Sequence, residues 1–317
     1  MAQAGTPSGR ATVSSPQELG SFQRLGPPPA RNAAPSPHEL LERAVAAARE
    51  GAALAREYRA TGVGDIDSKS TRTDLVTTAD RAVEALIARL LLDGHPDDRM
   101  LGEEGGEAAG SESVGGESPA GEPRPNPDAA HRVRWIVDPI DGTVNYVYGL
   151  PNVAVSIAAE VDGHVVAGVV RNVFTGEEWT AVRDGGAWRD GVRLTGSRVA
   201  SLEMALVATG FGYDAARRAH QATVLAGVLP RVRDIRRMGA AALDLCAAAE
   251  GLVDAFYEKG LNPWDQAAGG LIAQEAGLLV TGLRGAPPGP AMVLAAPPSV
   301  HAELHDLLVE LDADGGP

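Results

Sequence analysis

Apolar residues recur three or four positions apart in two stretches near the start of the chain, which is the spacing of one buried helix face. Residues 36–39 read Ser-Pro-His-Glu, the pattern of a capped helix start, and the spacing that follows predicts a helix from Pro37 to about Arg59. The second stretch predicts a helix that begins after Thr77 or Thr78, either of which can cap it. We therefore expect two amphipathic helices in the first third of the chain.

Strand patterns dominate the next part of the sequence. A run of β-formers over 133–137 is too short for a helix and predicts a buried strand that runs into Asp138, where Pro139 ends the ladder because it has no N–H. Alternating apolar positions over 153–195, with Asp-Gly and Thr-Gly turns between them, predict an antiparallel meander. A short strand is also predicted to end at Gly102.

Beyond residue 204, short apolar strands alternate with helical segments, which is typical of an α/β domain with a covered sheet. The predicted strands cover 206–208, 255–257, 278–280 and 292–294. The predicted helices cover about 214–228, 240–250, 263–276 and 298–311. Together these patterns predict an N-terminal α+β domain over 37–195 and a C-terminal α/β domain over 196–317.

The composition is that of a globular protein, with 44% hydrophobic residues among 317. A formal net charge of −14 argues against binding to nucleic acid or to anionic membranes, which requires basic patches. No apolar run is long enough to span a membrane and no signal-peptide pattern opens the chain, so we expect a cytoplasmic protein. The single cysteine, Cys246, excludes an internal disulfide and a cysteine-rich zinc site. Residues 1–36 and 105–131 are low-complexity, which predicts a disordered extension and a mobile loop.

The stretch from residue 138 to residue 145, Asp-Pro-Ile-Asp-Gly-Thr-Val-Asn, is the most informative part of the sequence. Asp138 and Asp141 follow a strand, and Gly142 and Thr143 then turn into a short helix. Carboxylates so placed can hold Mg²⁺ together with a substrate phosphate, and free N–H groups at a glycine turn can bind an anion. The stretch by itself is also compatible with an ordinary polar turn, so its meaning depends on partners elsewhere in the chain.

Five further acids lie at predicted strand ends or helix starts: Asp80, Glu103, Glu104, Glu258 and Asp265. Asp80 and Asp265 are each also explained by an acid that complements a helix dipole. The sequence lacks the glycine-rich loops of nucleotide-triphosphate and dinucleotide folds, and it lacks the Gly-x-Ser-x-Gly elbow. Several acids together with Ser and Thr, without a Cys or His cluster, indicate Mg²⁺-assisted phosphate chemistry.

Four blocks of the sequence, in this order, resemble the inositol monophosphatase family: residues 74–80 (DLVTTAD), 102–104 (GEE), 135–145 (WIVDPIDGTVN) and Trp264-Asp265. The likeness extends over roughly residues 38–312. It implies a layered αβαβα sandwich of the inositol monophosphatase and fructose-1,6-bisphosphatase type. It also implies lithium-sensitive, Mg²⁺-dependent hydrolysis of a small phosphate monoester, first of all inositol monophosphate, by a homodimer.

The resemblance implies two main metal sites and a weaker one. Glu103, Asp138 and the Ile140 carbonyl match the ligands of the first metal. Asp138, Asp141 and Asp265 match those of the second. A third, weaker Mg²⁺ ion would share Glu103.

The resemblance also implies catalytic and substrate-binding residues. Thr143 and Asp80 match the pair that orients and deprotonates the attacking water, and Glu103 belongs to the catalytic set. The family's contacts to the phosphate and to the substrate hydroxyls fall on Lys69, Asp141, the N–H groups of Gly142 and Thr143, the backbone at Ala241, and Glu258.

Three departures from the family pattern bear on the substrate. Val144 stands where many members have a second Thr and where branches acting on nucleotide 3′-phosphates or histidinol phosphate often have Lys, which favours inositol phosphate. Ala240 replaces a Thr of some members and weakens that preference, and Tyr148 lies in a segment where many members carry His. Histidinol phosphate, fructose 1,6-bisphosphate and 3′-phosphoadenosine-type substrates stay open as alternatives. So does a non-catalytic regulatory binding protein, although the loss of a metal ligand that would mark one is not found.

Overall fold

The structure is a computed structural model that describes residues 35–62, 66–68, 75–109 and 133–317. The helices of these residues are α1 Pro37–Thr61, α2 Thr78–Leu92, α3 Thr143–Tyr148, α4 Ala215–Val228, α5 Ala241–Glu250, α6 Pro263–Glu275 and α7 Pro298–Glu310. The strands are β1 Ile66–Ser68, β2 Leu75–Thr77, β3 Arg99–Gly102, β4 Gly106–Ala109, β5 Val133–Asp141, β6 Ala154–Val161, β7 His164–Asn172, β8 Glu178–Val182, β9 Gly186–Arg189, β10 Val192–Arg193, β11 Leu206–Thr209, β12 Asp234–Arg236, β13 Ala255–Glu258, β14 Leu279–Thr281 and β15 Val293–Ala296.

Capping explains why the first two helices begin where the sequence predicts. Ser36 accepts the N–H of Glu39 at 3.3 Å while the Glu39 carboxylate accepts the N–H of Ser36 at 2.7 Å, so a capping box opens α1. Thr77 and Asp80 form the same reciprocal pair at the start of α2, where the Thr77 N–H lies 2.7 Å from the carboxylate. The predicted bounds of α1 and of α4 to α7 are confirmed to within two residues.

The central strand is longer than predicted. β5 does not stop at Asp138 but continues to Asp141, which pairs with Ala154 after a register shift. The irregular segment lets the strand pass Pro139, which has no N–H to donate to the ladder, so pairing resumes instead of ending. The prediction that Pro139 ends the ladder was therefore wrong.

The predicted loop over 105–131 is also corrected at its start. Residues 106–109 form β4 because they pair antiparallel with β3. The remainder of the predicted loop, 110–131, lies outside the described residues, as do residues 1–34 of the predicted extension.

Besides the antiparallel pair β1–β2, two larger sheets organise the described chain. An eight-stranded sheet has the order β10-β9-β8-β7-β6-β5-β3-β4, and a five-stranded sheet has the order β12-β11-β13-β15-β14. The strands from β5 to β10 pair antiparallel in sequence, which confirms the predicted meander, while β3 runs parallel to β5. In the smaller sheet β11 pairs in parallel with β12 and β13, and β15 runs antiparallel to β13 and β14. The short strand β12 was not anticipated.

Side chains of both sheets alternate between two apolar layers, as pleated strands require. In β5, Val133, Trp135 and Val137 pack with α1 and α2, whereas Ile136 packs with α5 and α6. In β13, Phe256 joins the α5–α6 layer and its two neighbours join α4 and α7. The layers therefore follow the order α1–α2, large sheet, α5–α6, small sheet, α4–α7, which confirms the αβαβα sandwich.

The α5–α6 layer is shared between the two parts of the chain that the sequence separates near residue 195. One face of this layer packs on the large sheet and the other on the small sheet. The division into domains 37–195 and 196–317 stays a prediction about folding units. None of the described helices is long and apolar enough to cross a membrane.

Candidate active site

A cavity of about 440 Å³ opens where β3, β5, β11 and β13 end. Most of the site residues predicted from the sequence line it: Glu103, Asp138, Ile140, Asp141, Gly142, Thr143, Ala241, Glu258 and Asp265. Asp80 lies behind Thr143, and the predicted Lys69 lies outside the described residues. The fold thus collects in one place acids that are far apart in the chain.

Asp80 is completely buried, and its carboxylate joins the start of α2 to the start of α3. Its Oδ2 accepts the N–H and the hydroxyl of Thr77, at 2.7 and 2.5 Å. Its Oδ1 accepts the Thr143 hydroxyl at 3.4 Å, and the same hydroxyl lies 3.2 Å from the Ile140 carbonyl. Thr143 has one hydrogen for these two acceptors, so Asp80 and Ile140 compete for it. Asp80 therefore caps a helix and also contacts Thr143, two roles that the sequence presented as alternatives.

Asp138 is buried among other acids. Its Oδ1 accepts the Ile140 N–H at 3.1 Å. Burial first, and then the charges of Glu103, Asp141 and Asp265, raise the pKa of Asp138 well above its usual range.

Asp141 is held by the N-terminus of α5. Its Oδ1 accepts the N–H of Ala241 at 3.2 Å and its Oδ2 accepts the N–H of Ala242 at 2.8 Å. Burial raises the pKa of Asp141 to about 7, although these N–H donors oppose the rise, and the charge of Glu103 adds to it. The bonds fix the orientation of Asp141. They also occupy the Ala241 N–H, so a substrate contact at Ala241 would use another atom.

Asp265 and Glu258 come to the cavity from the C-terminal half of the chain. Asp265 lies in the first turn of α6, where its Oδ2 accepts the Asn262 N–H at 2.6 Å. Burial and the charge of Asp141 raise the pKa of Asp265 well above its usual range. Glu258 ends β13, and burial raises its pKa to about 8 although the nearby charge of Arg237 lowers it. Both acids line the cavity together with Asp141.

This donor set suits a hard divalent cation. Four carboxylates and the Ile140 carbonyl supply only oxygen, and the raised pKa values of Asp138, Asp141 and Asp265 reflect burial and mutual repulsion that a cation would relieve. The residues present therefore fit Mg²⁺. Within the described ranges, no group of three or more His, Cys, Asp or Glu side chains is already arranged to hold a metal ion. Like charges keep carboxylates apart until a cation draws them together.

Glu84 is a site residue that the sequence analysis did not single out. It lies on α2, is only 7% exposed, and accepts the N–H of Glu104 at 2.9 Å and that of Gly105 at 2.7 Å. It thereby holds the turn that carries Glu103. A Cβ atom at Gly102 would come within 2.4 Å of the Glu84 carboxylate, so the close approach requires glycine there. An acid next to the apolar face of the predicted helix was the signal available in the sequence.

The turn from β5 into α3 depends on Gly142, whose φ of +88° is left-handed. A Cβ atom there would lie 2.8 Å from the Asn152 carbonyl and 3.2 Å from that of Gly239. Asn145 closes the same turn, since its Nδ2 donates to the carbonyls of Asn152 and residue 238, each at 2.8 Å. The motif is thus locked against the segment that precedes α5.

Three basic residues also line the cavity, and the sequence analysis did not foresee them: Arg217, Arg237 and Lys259. Lys259 is buried, and its Nζ donates to the carbonyls of residues 315–317. Arg217 donates from Nε to the Pro317 carbonyl at 3.3 Å. Arg237 is exposed, and in the part of the chain that the structure describes it makes no hydrogen bond or ion pair.

Comparison with known proteins places the chain among relatives of similar length. The sequence profile of the Inositol monophosphatase family matches residues 36–312. The inositol-1-monophosphatase of Mycobacterium leprae strain TN is 45% identical over 279 residues, which cover 83% of this chain and 91% of that protein. A protein of Escherichia coli K12 named Nus factor SuhB is 37% identical over 250 residues, 78% of this chain and 86% of that one. The solved structure of Mycobacterium tuberculosis SuhB superimposes with a TM-score of 0.69 at 38% identity, covering 88% of this chain and 99% of the other.

The matched region contains the four sequence blocks on which the resemblance rests. It also contains α1 to α7 and all three sheets of the described residues. The agreement of the profile, the relatives and the fold leads to one conclusion: the chain belongs to the inositol monophosphatase family.

Proposed function

We propose that this chain hydrolyses a small phosphate monoester with Mg²⁺ as cofactor, and that inositol monophosphate is the first candidate substrate. The observation that carries the proposal is the meeting of Glu103, Asp138, Asp141 and Asp265 at one cavity beside the hydroxyl of Thr143. The name of the Mycobacterium leprae relative, inositol-1-monophosphatase, supports the choice of substrate.

The carboxylates would hold the metal ions. Glu103, Asp138 and the Ile140 carbonyl would bind one, Asp138, Asp141 and Asp265 a second, and Glu103 a third, weaker one. When bound, such ions neutralise the phosphate, lower the pKa of water and stabilise the leaving oxygen. Because burial and mutual repulsion raise the pKa values of Asp138, Asp141 and Asp265, these acids must lose protons as a metal binds.

Thr143 would orient the attacking water. When its single hydrogen is donated to Asp80, a lone pair of Oγ1 is free to accept a hydrogen bond from water in the cavity. If the Ile140 carbonyl serves as a metal ligand, Asp80 is the remaining acceptor for that hydrogen. Two bonds from Thr77 hold Asp80 in place, so it cannot turn away. Positioning and charge are most of what phosphoryl transfer asks of a protein.

The remaining predicted contacts belong to substrate binding. The N–H groups of Gly142 and Thr143 would hold the phosphate, with Lys69 near it as the resemblance implies. Glu258, Asp141 and the backbone at Ala241 would contact the substrate hydroxyls. Their common position on the cavity wall supports this assignment for the described residues.

A phosphate-release assay tests the proposal. The panel holds inositol 1-phosphate, histidinol phosphate, fructose 1,6-bisphosphate and 3′-phosphoadenosine 5′-phosphate, each with Mg²⁺ and with EDTA. We expect Mg²⁺-dependent turnover, highest for inositol 1-phosphate, that Asp138→Asn nearly abolishes. The control is Asp97→Asn, an exposed position outside the cavity. A folded protein that releases phosphate from none of the four would contradict the proposal.

A regulatory binding protein is the second candidate, because the E. coli relative is named a Nus factor. It would be favoured over the enzyme by a folded chain with no turnover on the panel. The homodimer and the cytoplasmic location implied earlier belong to the main proposal. Sedimentation velocity measures the first and cell fractionation the second.

A further inference from the structure

The cavity carries opposite charges on two of its sides. The acids assigned to metal come from the ends of β3 and β5 and from the start of α6, whereas the basic residues come from α4, from the segment before α5 and from the end of β13. Glu258 lines the same cavity, and its pKa responds to both kinds of charge, because Arg237 lowers it and Asp141 raises it. A ligand with one anionic group would use only part of this wall.

Two of the three basic residues are already engaged. Lys259 is only 9% exposed and its ammonium meets three backbone carbonyls, while Arg217 donates to another carbonyl. Arg237 differs from both, because it is exposed and no described residue pairs with it. An unpaired guanidinium on the wall of a cavity is available to a ligand, and its fork of N–H groups matches phosphate and carboxylate.

The position of the Arg237 side chain depends on Gly239, two residues further along the chain. A Cβ atom at Gly239, whose φ is +88°, would lie 2.4 Å from Nη1 of Arg237, so the guanidinium folds over this glycine. The Gly239 carbonyl in turn lies beside Gly142, in the turn proposed to hold phosphate. The acids that feel the charge of Arg237 are Glu258 and Asp244. Arg237 is therefore separated only by Gly239 from the turn proposed to hold the reacting phosphate, and it acts on Glu258.

The preceding arginine provides a contrast within the same dipeptide. Arg236 donates to Asp234 at 2.7 Å and to the Ile235 carbonyl at 2.8 Å, and it does not line the cavity. Two chemically identical side chains thus have different surroundings. One is tied to its own strand, and the other faces the ligand space.

We infer that Arg237 is a specificity-determining residue that binds a second anionic group of the substrate, a phosphate or carboxylate other than the phosphate that is hydrolysed. The inference rests on the proposed function and extends it: besides inositol monophosphate, the site would accept phosphate monoesters of polyols or sugars that carry a second anionic group. A cavity of about 440 Å³ is within the range of sites for ligands of this size.

The experiment compares two substrates in matched variants. Values of kcat/KM are measured for inositol 1-phosphate, with one anionic group, and fructose 1,6-bisphosphate, with two, in the wild type, Arg237→Gln and Arg236→Gln. We expect Arg237→Gln to lower kcat/KM for the bisphosphate about 10- to 100-fold, mainly through KM, as for loss of one charge-assisted hydrogen bond. The value for the monophosphate should change by less than about threefold, and Arg236→Gln should change neither. Arg237→Lys should restore only part of the loss, since an ammonium lacks the bidentate fork.

Equal losses for the two substrates would overturn the inference, because Arg237 would then hold the phosphate that both share. No loss for either would overturn it as well. If neither substrate is turned over, the proposed function fails. The inference about Arg237 is then tested separately, by the rise in melting temperature that each of the two ligands causes. In the wild type, a larger rise in melting temperature with the bisphosphate than with the monophosphate would support the second-anion site, provided that Arg237→Gln shows no such difference. If the two ligands raised the melting temperature equally in the wild type and in Arg237→Gln, the inference would be refuted.

Discussion

Replacing Asp80 by Asn tests whether Thr143 orients water, because it changes one side-chain atom in a fully buried place. The carboxylate accepts two hydrogen bonds from Thr77 at Oδ2 and one from Thr143 at Oδ1. An amide keeps one oxygen acceptor and replaces the other by an NH₂ donor. It therefore cannot serve both neighbours as the carboxylate does.

The two orientations of the amide have different consequences. If its oxygen faces Thr143, the Thr77 N–H is left without an acceptor in a site that is 0% exposed, which costs about 1–3 kcal/mol of stability. If its oxygen faces Thr77, the helix cap survives and the NH₂ group faces the Thr143 hydroxyl. The hydrogen of Thr143 then turns to the Ile140 carbonyl, and the amide occupies one of the two lone pairs of Oγ1. The hydroxyl therefore loses the orientation in which Asp80 fixes it for the water. We expect this second orientation, since it avoids the loss of stability.

The expected effect is on rate. Loss of general-base help lowers kcat by roughly 10²–10⁴-fold, or about 3–5 kcal/mol in the barrier. Phosphate release is followed against Mg²⁺ concentration for Asp80→Asn, Thr143→Ala, the double variant and the control Asp97→Asn. The single variants should lose kcat at saturating Mg²⁺ with an unchanged Mg²⁺ requirement, and the double variant should be little worse, because parts of one unit are not additive. Asp265→Asn should instead raise the Mg²⁺ requirement. A shifted requirement with normal saturated kcat in Asp80→Asn would refute the role of the pair.

Four other predictions concern the metal ligand Asp138, the turn held by Glu84, the pH dependence of stability and the N-terminal segment. Asp138→Asn should nearly abolish turnover, because an amide lacks the charge that two metal sites share. If this variant kept the wild-type rate of turnover with EDTA present, the metal mechanism would be excluded. Glu84→Gln should weaken metal binding roughly tenfold by calorimetry, since its NH₂ group opposes one N–H of the turn it holds; the exposed control Glu50→Gln should not. Burial raises the pKa of Asp141 from 3.8 to about 7. The metal-free folded state therefore binds more protons than the unfolded chain, and its stability falls as pH rises through that range. The melting temperature in EDTA should be lower at pH 8 than at pH 5.5, and Mg²⁺ should raise it more at pH 8. A melting temperature that changes with neither pH nor Mg²⁺ would contradict the repulsion among the buried acids. Removal of residues 1–34, which spares the cap of α1, should leave turnover unchanged, and an inactive but folded truncation would overturn this.

The sequence by itself determined the elements whose causes are local. Ser36 and Thr77 open helices through bonds to residues three positions away, so their signatures are readable without the fold. The alternating apolar and polar positions of the meander likewise reflect which face of each strand is buried. The succession of strands and helices beyond residue 204 has the same kind of local cause, and the structure confirms both patterns. The blocks around Asp138 and Asp265 indicated the family for the same reason, because each is a short contiguous pattern.

The tertiary structure alone decided what depends on contacts between distant segments. The strand β5 continues past Pro139 because Ala154 is in place to pair with Asp141, which no local rule at proline can foresee. The Thr143–Asp80 contact joins residues 63 positions apart.

The same limit applies to residues whose type alone says nothing of their surroundings. Glu84 reads in the sequence as one more helix acid, and its role follows only from the packing of α2 on the turn after β3. Arg236 and Arg237 are indistinguishable in the sequence, and one is tied to Asp234 while the other faces the cavity. Side-chain surroundings of this kind follow from the packing of layers. Local propensity and hydrophobic period do not encode that packing.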